Sequence, residues 1–143
     1  MIAICVDAKD YAEEINPAFG TCSWKTLLGR DEENASMTLG LATFHAHGTL
    51  HLHHHDDAEF YYCVGGSGWV TIDEQVIEIR QHMAIMIPGG CTHGVQAGAD
   101  GLQFLYGFAN QPKFSSVHYQ FLPQVGEVPT NMPNVLEEAQ IER

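Results

Sequence analysis

Basic residues are scarce. The chain has 143 residues, with six Lys and Arg against 18 Asp and Glu, for a formal net charge of −12. That balance argues against nucleic acid or an anionic membrane surface as a partner, because both need clustered cations. Long hydrophobic runs are missing too, so no segment reads as a transmembrane helix. Met1–Asp10 has no basic lead-in before its short apolar run, and a secretory signal is not expected. The four cysteines (Cys5, Cys22, Cys63 and Cys91) form no C-x-x-C pair, which reads as reduced thiols in a cytoplasmic protein. With 45% hydrophobic and 17% charged residues, the composition is that of an ordinary globular protein. The length suits one domain over 1–143, with a barrel over about 23–122 and a tail over 123–143. Histidine is abundant. There are nine, and six lie between His45 and His55.

The first twenty residues read as helical, with good helix formers from Ala8 to Ile15 and a stop at Asn16-Pro17. From Ser23 the texture becomes short apolar or alternating runs. Strands are expected over Ser23–Leu28, Met37–Phe44, Thr49–His55, Glu59–Val64, Trp69–Ile72, Val76–Ile79, Ala84–Ile87, Gly94–Ala97, Leu102–Phe108 and Ser116–Leu122. Gly65-Gly66-Ser67-Gly68, Asp73-Glu74-Gln75 and Pro88-Gly89-Gly90 read as turns. Many short strands at near-regular spacing point to an all-β sandwich or barrel. Beyond Leu122 three prolines mark an irregular tail, with a short helical patch over Val135–Ile141.

On a strand, residues two apart share a face. His51, His53 and His55 therefore point one way, and His54 points the other. Asp56-Asp57-Ala58 is long enough for a turn, after which a hairpin folds Glu59 over His53 and His55. Pro88-Gly89-Gly90-Cys91-Thr92 ends in His93 at the start of another strand. Three imidazoles and one carboxylate suit one divalent transition metal: Fe, Mn, Ni, Co or Zn. His45, His47, His54, His82 and His118 read as surface or packing residues.

These residues resemble the cupins. The two cupin motifs are G-x5-H-x-H-x3,4-E-x6-G and G-x5-P-x-G-x2-H-x3-N. Here stand His53-x-His55-x3-Glu59-x6-Gly66 and Pro88-x-Gly90-x2-His93. Gly48 lies one residue closer to His53 than the pattern has it, His82 occupies the place of the second motif's first glycine, and Ala97 that of its asparagine. None of these three is a ligand position. The resemblance covers about residues 35–122 and implies a single-domain jelly-roll β-barrel with the metal inside.

A narrower resemblance is to the small cupin-type dimethylsulfoniopropionate lyases. It rests on Leu39–Ala42, on Tyr61 two residues after Glu59, and on Phe114–Tyr119 (Phe-Ser-Ser-Val-His-Tyr). That resemblance implies metal ligands at His53, His55, Glu59 and His93, with Tyr61 and Tyr119 in the pocket and one of them a base. Tyr119 is the favoured base, because Tyr61 is only two residues from a ligand. Strand alternation also turns Tyr61, Tyr119 and Phe104-x-Tyr106-x-Phe108 inward, with Phe44 and Trp24 as further interior aromatics. Trp24, Phe104, Tyr106 and His51 are candidate substrate-binding residues. The expected activity is metal-dependent β-elimination on a small carboxylate, giving dimethyl sulfide and acrylate. The same ligands would also serve an Fe(II) dioxygenase, a sugar or keto-acid isomerase, or a non-enzymatic binding cupin. Exposed edges and an outer apolar face suggest a homodimer.

Overall fold

The computed structural model describes residues 2–33 and 35–123. The predicted helical patch over Val135–Ile141 lies outside the described residues. The described residues form eight strands: β1 (Ser23–Leu28), β2 (Thr38–Phe44), β3 (Thr49–His54), β4 (Glu59–Ile72), β5 (Gln75–Arg80), β6 (Ala84–Ile87), β7 (His93–Phe108) and β8 (Gln120–Phe121). All pairings between them are antiparallel.

The two long strands β4 and β7 are the spine. They pair along most of their length, from Phe60 opposite Gly107 to Ile72 opposite His93. On the far side of β7 lie β2, over Leu102–Phe108, and β3, over His93–Gln96. On the far side of β4 lie β6, at its start, and β5, at its end. The sheet curls so that alternate residues of β1, β2, β4 and β7 face one interior, as expected of a jelly-roll barrel. Trp24, Phe44, Tyr61, Cys63, Phe104, Tyr106 and Phe108 are all buried there.

Four local expectations are corrected. The N-terminal helix is only a 3-10 turn over Ala8–Asp10, with the Asp7 side chain accepting from the Lys9 amide. The residues after it are not helical: Glu14 bridges to Trp24 and Gly20 to Leu50, with a turn over 17–19 between the two bridges. Hydrogen bonding to an open edge outweighs the weak helix propensity of a short segment. The glycine run Gly65–Gly68 is not a turn but the middle of β4, where the β4–β7 register shifts twice. β7 is likewise continuous through the segment read as a gap between two strands. The predicted strand over Ser116–Leu122 shrinks to β8, preceded by a 3-10 turn over Phe114–Ser116.

Gly20 shows how the N-terminal segment is attached. Its φ of +135° is a conformation open essentially to glycine alone, and a Cβ there would collide with the Thr49 carbonyl. Gly20→Ala should therefore destabilise the fold by about 2 kcal/mol. The expected result is a lower denaturant midpoint with unchanged slope.

Candidate metal centre

Two turns and one strand pair assemble the site. His53, near the end of β3, lies directly opposite His93, the first residue of β7. His55 follows β3, and Glu59 opens β4 after the Asp56–Ala58 turn. The Pro88–Thr92 corner is tied to that turn, since the Gly90 amide donates to the His55 carbonyl at 2.8 Å. Gly89 permits the approach, because a Cβ there would overlap the Asp56 carbonyl. Asp73 braces the corner from the other side, accepting from the Thr92 amide at 3.0 Å.

The Nδ1 atoms of the three histidines each face a main-chain carbonyl: His53 that of His51 (2.8 Å), His55 that of Asp57 (2.9 Å) and His93 that of Cys91 (3.0 Å). A carbonyl can only accept, so each Nδ1 carries the proton. When neutral, the rings therefore present Nε2 lone pairs to one another, and an Nε2 donates to a carboxylate only when its ring takes a second proton. The histidine ligand atoms lie within 4.8 Å of one another. Glu59 Oε1 lies 3.2 Å from both His55 Nε2 and His93 Nε2. His53 Nε2 is buried with no hydrogen-bond partner among the described residues. This is a buried cluster of acceptors, a set that a cation satisfies. The donor set fits a metal ion, which the three histidines, with Glu59 beside them, would hold.

Charge follows from the same geometry. Burial, reinforced by the nearby His93, pulls His53 from 6.5 down to about 3. Burial also opposes the charge on His55, but the Glu59 carboxylate outweighs it and leaves His55 raised. Glu59 is pushed up by burial yet ends lowered, because His55 and His93 both hydrogen-bond to it. For the metal-free protein the linkage has a definite sign. Between pH 6.5 and 3 the unfolded chain protonates His53 and the folded chain does not, so stability falls on acidification. The loss by about pH 5.5 should be on the order of 1 kcal/mol, and denaturation of metal-stripped protein across that window measures it. His55 acts oppositely. Its contribution is complete below 6.5 and is lost as pH rises through its raised value.

Beside the cluster lies a narrow pocket that opens to solvent. The predicted residues Trp24, Tyr61, Phe104, Tyr106 and Tyr119 all line it, and of the cluster Glu59 reaches its wall. Tyr119 stacks on His53 with centroids 4.9 Å apart and meets the His55 ring edge-on at 5.0 Å. Tyr61 stacks on Phe104 at 4.1 Å and meets His93 at 6.4 Å. Burial, and then the Glu59 charge, push both tyrosine hydroxyls well above the ordinary phenol range. Trp24 Nε1 is buried with no hydrogen-bond partner among the described residues. His51 does not form part of the pocket wall. It supports the site through the main-chain carbonyl that orients His53. Phe19 and Phe114 line the pocket, although the sequence offered no reason to place them there. Phe19 sits in a loop without periodicity, and Phe114 opens a 3-10 turn.

With the geometry in place, comparison with known proteins is informative. The cupin domain family matches residues 40–105. The dimethylsulfoniopropionate lyase DddW of Ruegeria pomeroyi is 42% identical over 107 residues, which span 74% of this chain and 70% of that protein. Among solved structures, the polyketide cyclase RemF of Streptomyces resistomycificus superposes with a TM-score of 0.72 at 19% identity, over 93% of this chain and 96% of that one. Oxalate decarboxylase of Bacillus subtilis gives 0.66 at 19% identity, over 96% of this chain and 36% of that one. The functions of these two structural neighbours differ, so they speak for the fold alone. The barrel, the two histidine-bearing motifs and the kinship with DddW agree: the chain belongs to the cupin family.

Proposed function

We propose that this protein is a metal-dependent lyase that cleaves dimethylsulfoniopropionate to dimethyl sulfide and acrylate. One observation carries the proposal: a buried cluster of three imidazoles and a carboxylate lies against a tyrosine in the wall of an aromatic pocket. The 42% identity to DddW supports the substrate. His53, His55, Glu59 and His93 are the proposed holders of one divalent transition ion (Fe, Mn, Ni, Co or Zn). When bound, that ion supplies the positive charge that acidifies the α carbon of a carboxylate and favours an ionised phenol beside it.

The chain's own residues do the rest. Tyr119 takes the α proton onto its phenolate oxygen. The C–H electron pair forms the Cα–Cβ double bond, and the Cβ–S pair leaves with sulfur as neutral dimethyl sulfide. Tyr61 holds the substrate carboxylate by a hydrogen bond. The aromatic wall excludes water and tolerates the sulfonium. We also assign the activity to the cytoplasm and to a homodimer, with Phe60, Tyr62 and Met86 exposed on the outer face of β4 and β6 as its contact.

The test is gas analysis above metal-loaded protein supplied with dimethylsulfoniopropionate, in air and under argon. Elimination consumes no oxygen, so dimethyl sulfide should appear equally in both. Product formed only in air would favour the dioxygenase alternative, and no dimethyl sulfide in either would reject the lyase.

A further inference from the structure

His93 takes its ring orientation from the Cys91 carbonyl, 3.0 Å from its Nδ1. Cys91 belongs to the Pro88–Thr92 corner, which lies between β6 and β7 and outside both. What fixes that corner stands in a different turn, the one joining β4 to β5. The β4–β7 ladder ends with Ile72 opposite His93. Asp73 comes one residue later, and the chain then reverses so that Gln75 pairs with Ile72.

A hydrogen-bonded antiparallel pair exchanges two main-chain bonds. Asp73 and Thr92 make the first of them, the Asp73 amide donating to the Thr92 carbonyl at 2.7 Å. A side chain makes the return bond: the Thr92 amide donates to Asp73 Oδ1 at 3.0 Å. The Cys91 thiol donates to the same carboxylate, which holds that thiol above its ordinary range. One carboxylate thus accepts from the two residues immediately before His93. Asp73 itself is exposed, so packing does not call for it. Its φ of +51° is a backbone that aspartate, asparagine and glycine tolerate.

We infer that Asp73 is a positioning residue of the metal centre: its carboxylate fixes Cys91 and Thr92, and through the Cys91 carbonyl it keeps the His93 ring turned toward those of His53 and His55. Asp73 makes no contact with the cluster itself and acts through His93. This rests on the metal-centre part of the proposed function and is independent of the substrate. A partner that orients a metal-ligating histidine is worth roughly 10- to 100-fold in metal affinity. Asp73 acts one step further out, so the low end of that range, about tenfold, is expected.

The experiment titrates Co(II) into metal-stripped protein against a chromogenic chelator and records the visible bands of bound Co(II). Asp73→Gly suits the positive φ and deletes the carboxylate. It should weaken Co(II) binding by about tenfold and shift the bands. Asp73→Asn keeps an acceptor oxygen on the same backbone, and should restore most of the affinity and the native bands. Gly101→Ala is the control for lost stability alone. Its φ is +79° and a Cβ there would meet the Phe44 carbonyl, but it lies far along β7 from His93. It should lower the denaturant midpoint and leave Co(II) affinity and bands native. Native affinity in Asp73→Gly, or Asp73→Asn no better than Asp73→Gly, or an equal loss in Gly101→Ala, would each overturn the role of Asp73 while Co(II) binding by the native protein still upheld the centre. Native protein that binds no Co(II) would remove the centre, and the role of Asp73 with it.

Discussion

His55→Ala should leave the protein with little bound metal and reduce dimethyl sulfide release by at least roughly a hundredfold. Losing a partner that merely orients a ligand costs 10- to 100-fold in affinity or activity, so losing the ligand itself sets that range as a floor. The geometry makes His55 decisive. Its Nε2 is one of two that lie 3.2 Å from Glu59 Oε1, and its ring is oriented by the Asp57 carbonyl. Without it, Glu59 keeps only His93 as an imidazole partner, and the buried carboxylate loses part of what holds its ionised form. Element analysis should give close to one metal per native chain and a small fraction of that in the variant. His54→Ala is the matched control. His54 pairs with Gln120 on the opposite face of β3 and should change neither quantity. Full metal in His55→Ala would refute the ligand set.

Tyr119→Phe should retain metal and fold yet lose at least roughly a hundredfold in kcat, the usual scale of general acid–base catalysis. Phenylalanine keeps the ring that stacks on His53 at 4.9 Å and meets Phe19 at 4.8 Å, so packing changes little. What goes is the oxygen that receives the α proton. Burial holds the Tyr119 hydroxyl well above its ordinary range in the protein alone. Only the ionised phenol accepts the α proton, so kcat/KM of the native enzyme should climb with pH until Tyr119 is ionised. That limb should flatten in Tyr119→Phe. Tyr61→Phe should act chiefly on KM, because its proposed contact is with the carboxylate already in the ground state. The reverse ranking would exchange the roles of the two tyrosines. Near-normal turnover in both would remove tyrosine from the mechanism.

Much of the site was legible because period-two alternation is rigid. Once Glu59 opens a strand, Tyr61 and Cys63 must share its face, and all three are buried. The spacing of His53, His55 and His93 was equally readable, since turns of fixed length deliver them. Even one departure from the cupin pattern has a physical reading. His82, where the pattern has glycine, adopts a left-handed backbone with φ of 77°. Histidine is among the residues that tolerate this region.

What escaped the sequence was decided by distant contacts. Ala8–Ile15 has helix-forming composition, but no local signal reveals that Glu14 will bridge to Trp24. Gly65–Gly68 has turn composition, yet pairing with β7 on both sides of it keeps the strand running. Phe19 and Phe114 reach the pocket from segments with no periodicity to read.

The most direct measurement follows one sample through metal removal and return. The protein is stripped with a chelator, then reloaded in steps with a single divalent metal. At each step bound metal and the rate of dimethyl sulfide release are recorded together. Release should be near zero in the stripped protein and rise in proportion to occupancy, levelling off at one ion per chain. Stripped protein that cleaves dimethylsulfoniopropionate as fast as reloaded protein would contradict the metal-dependent elimination.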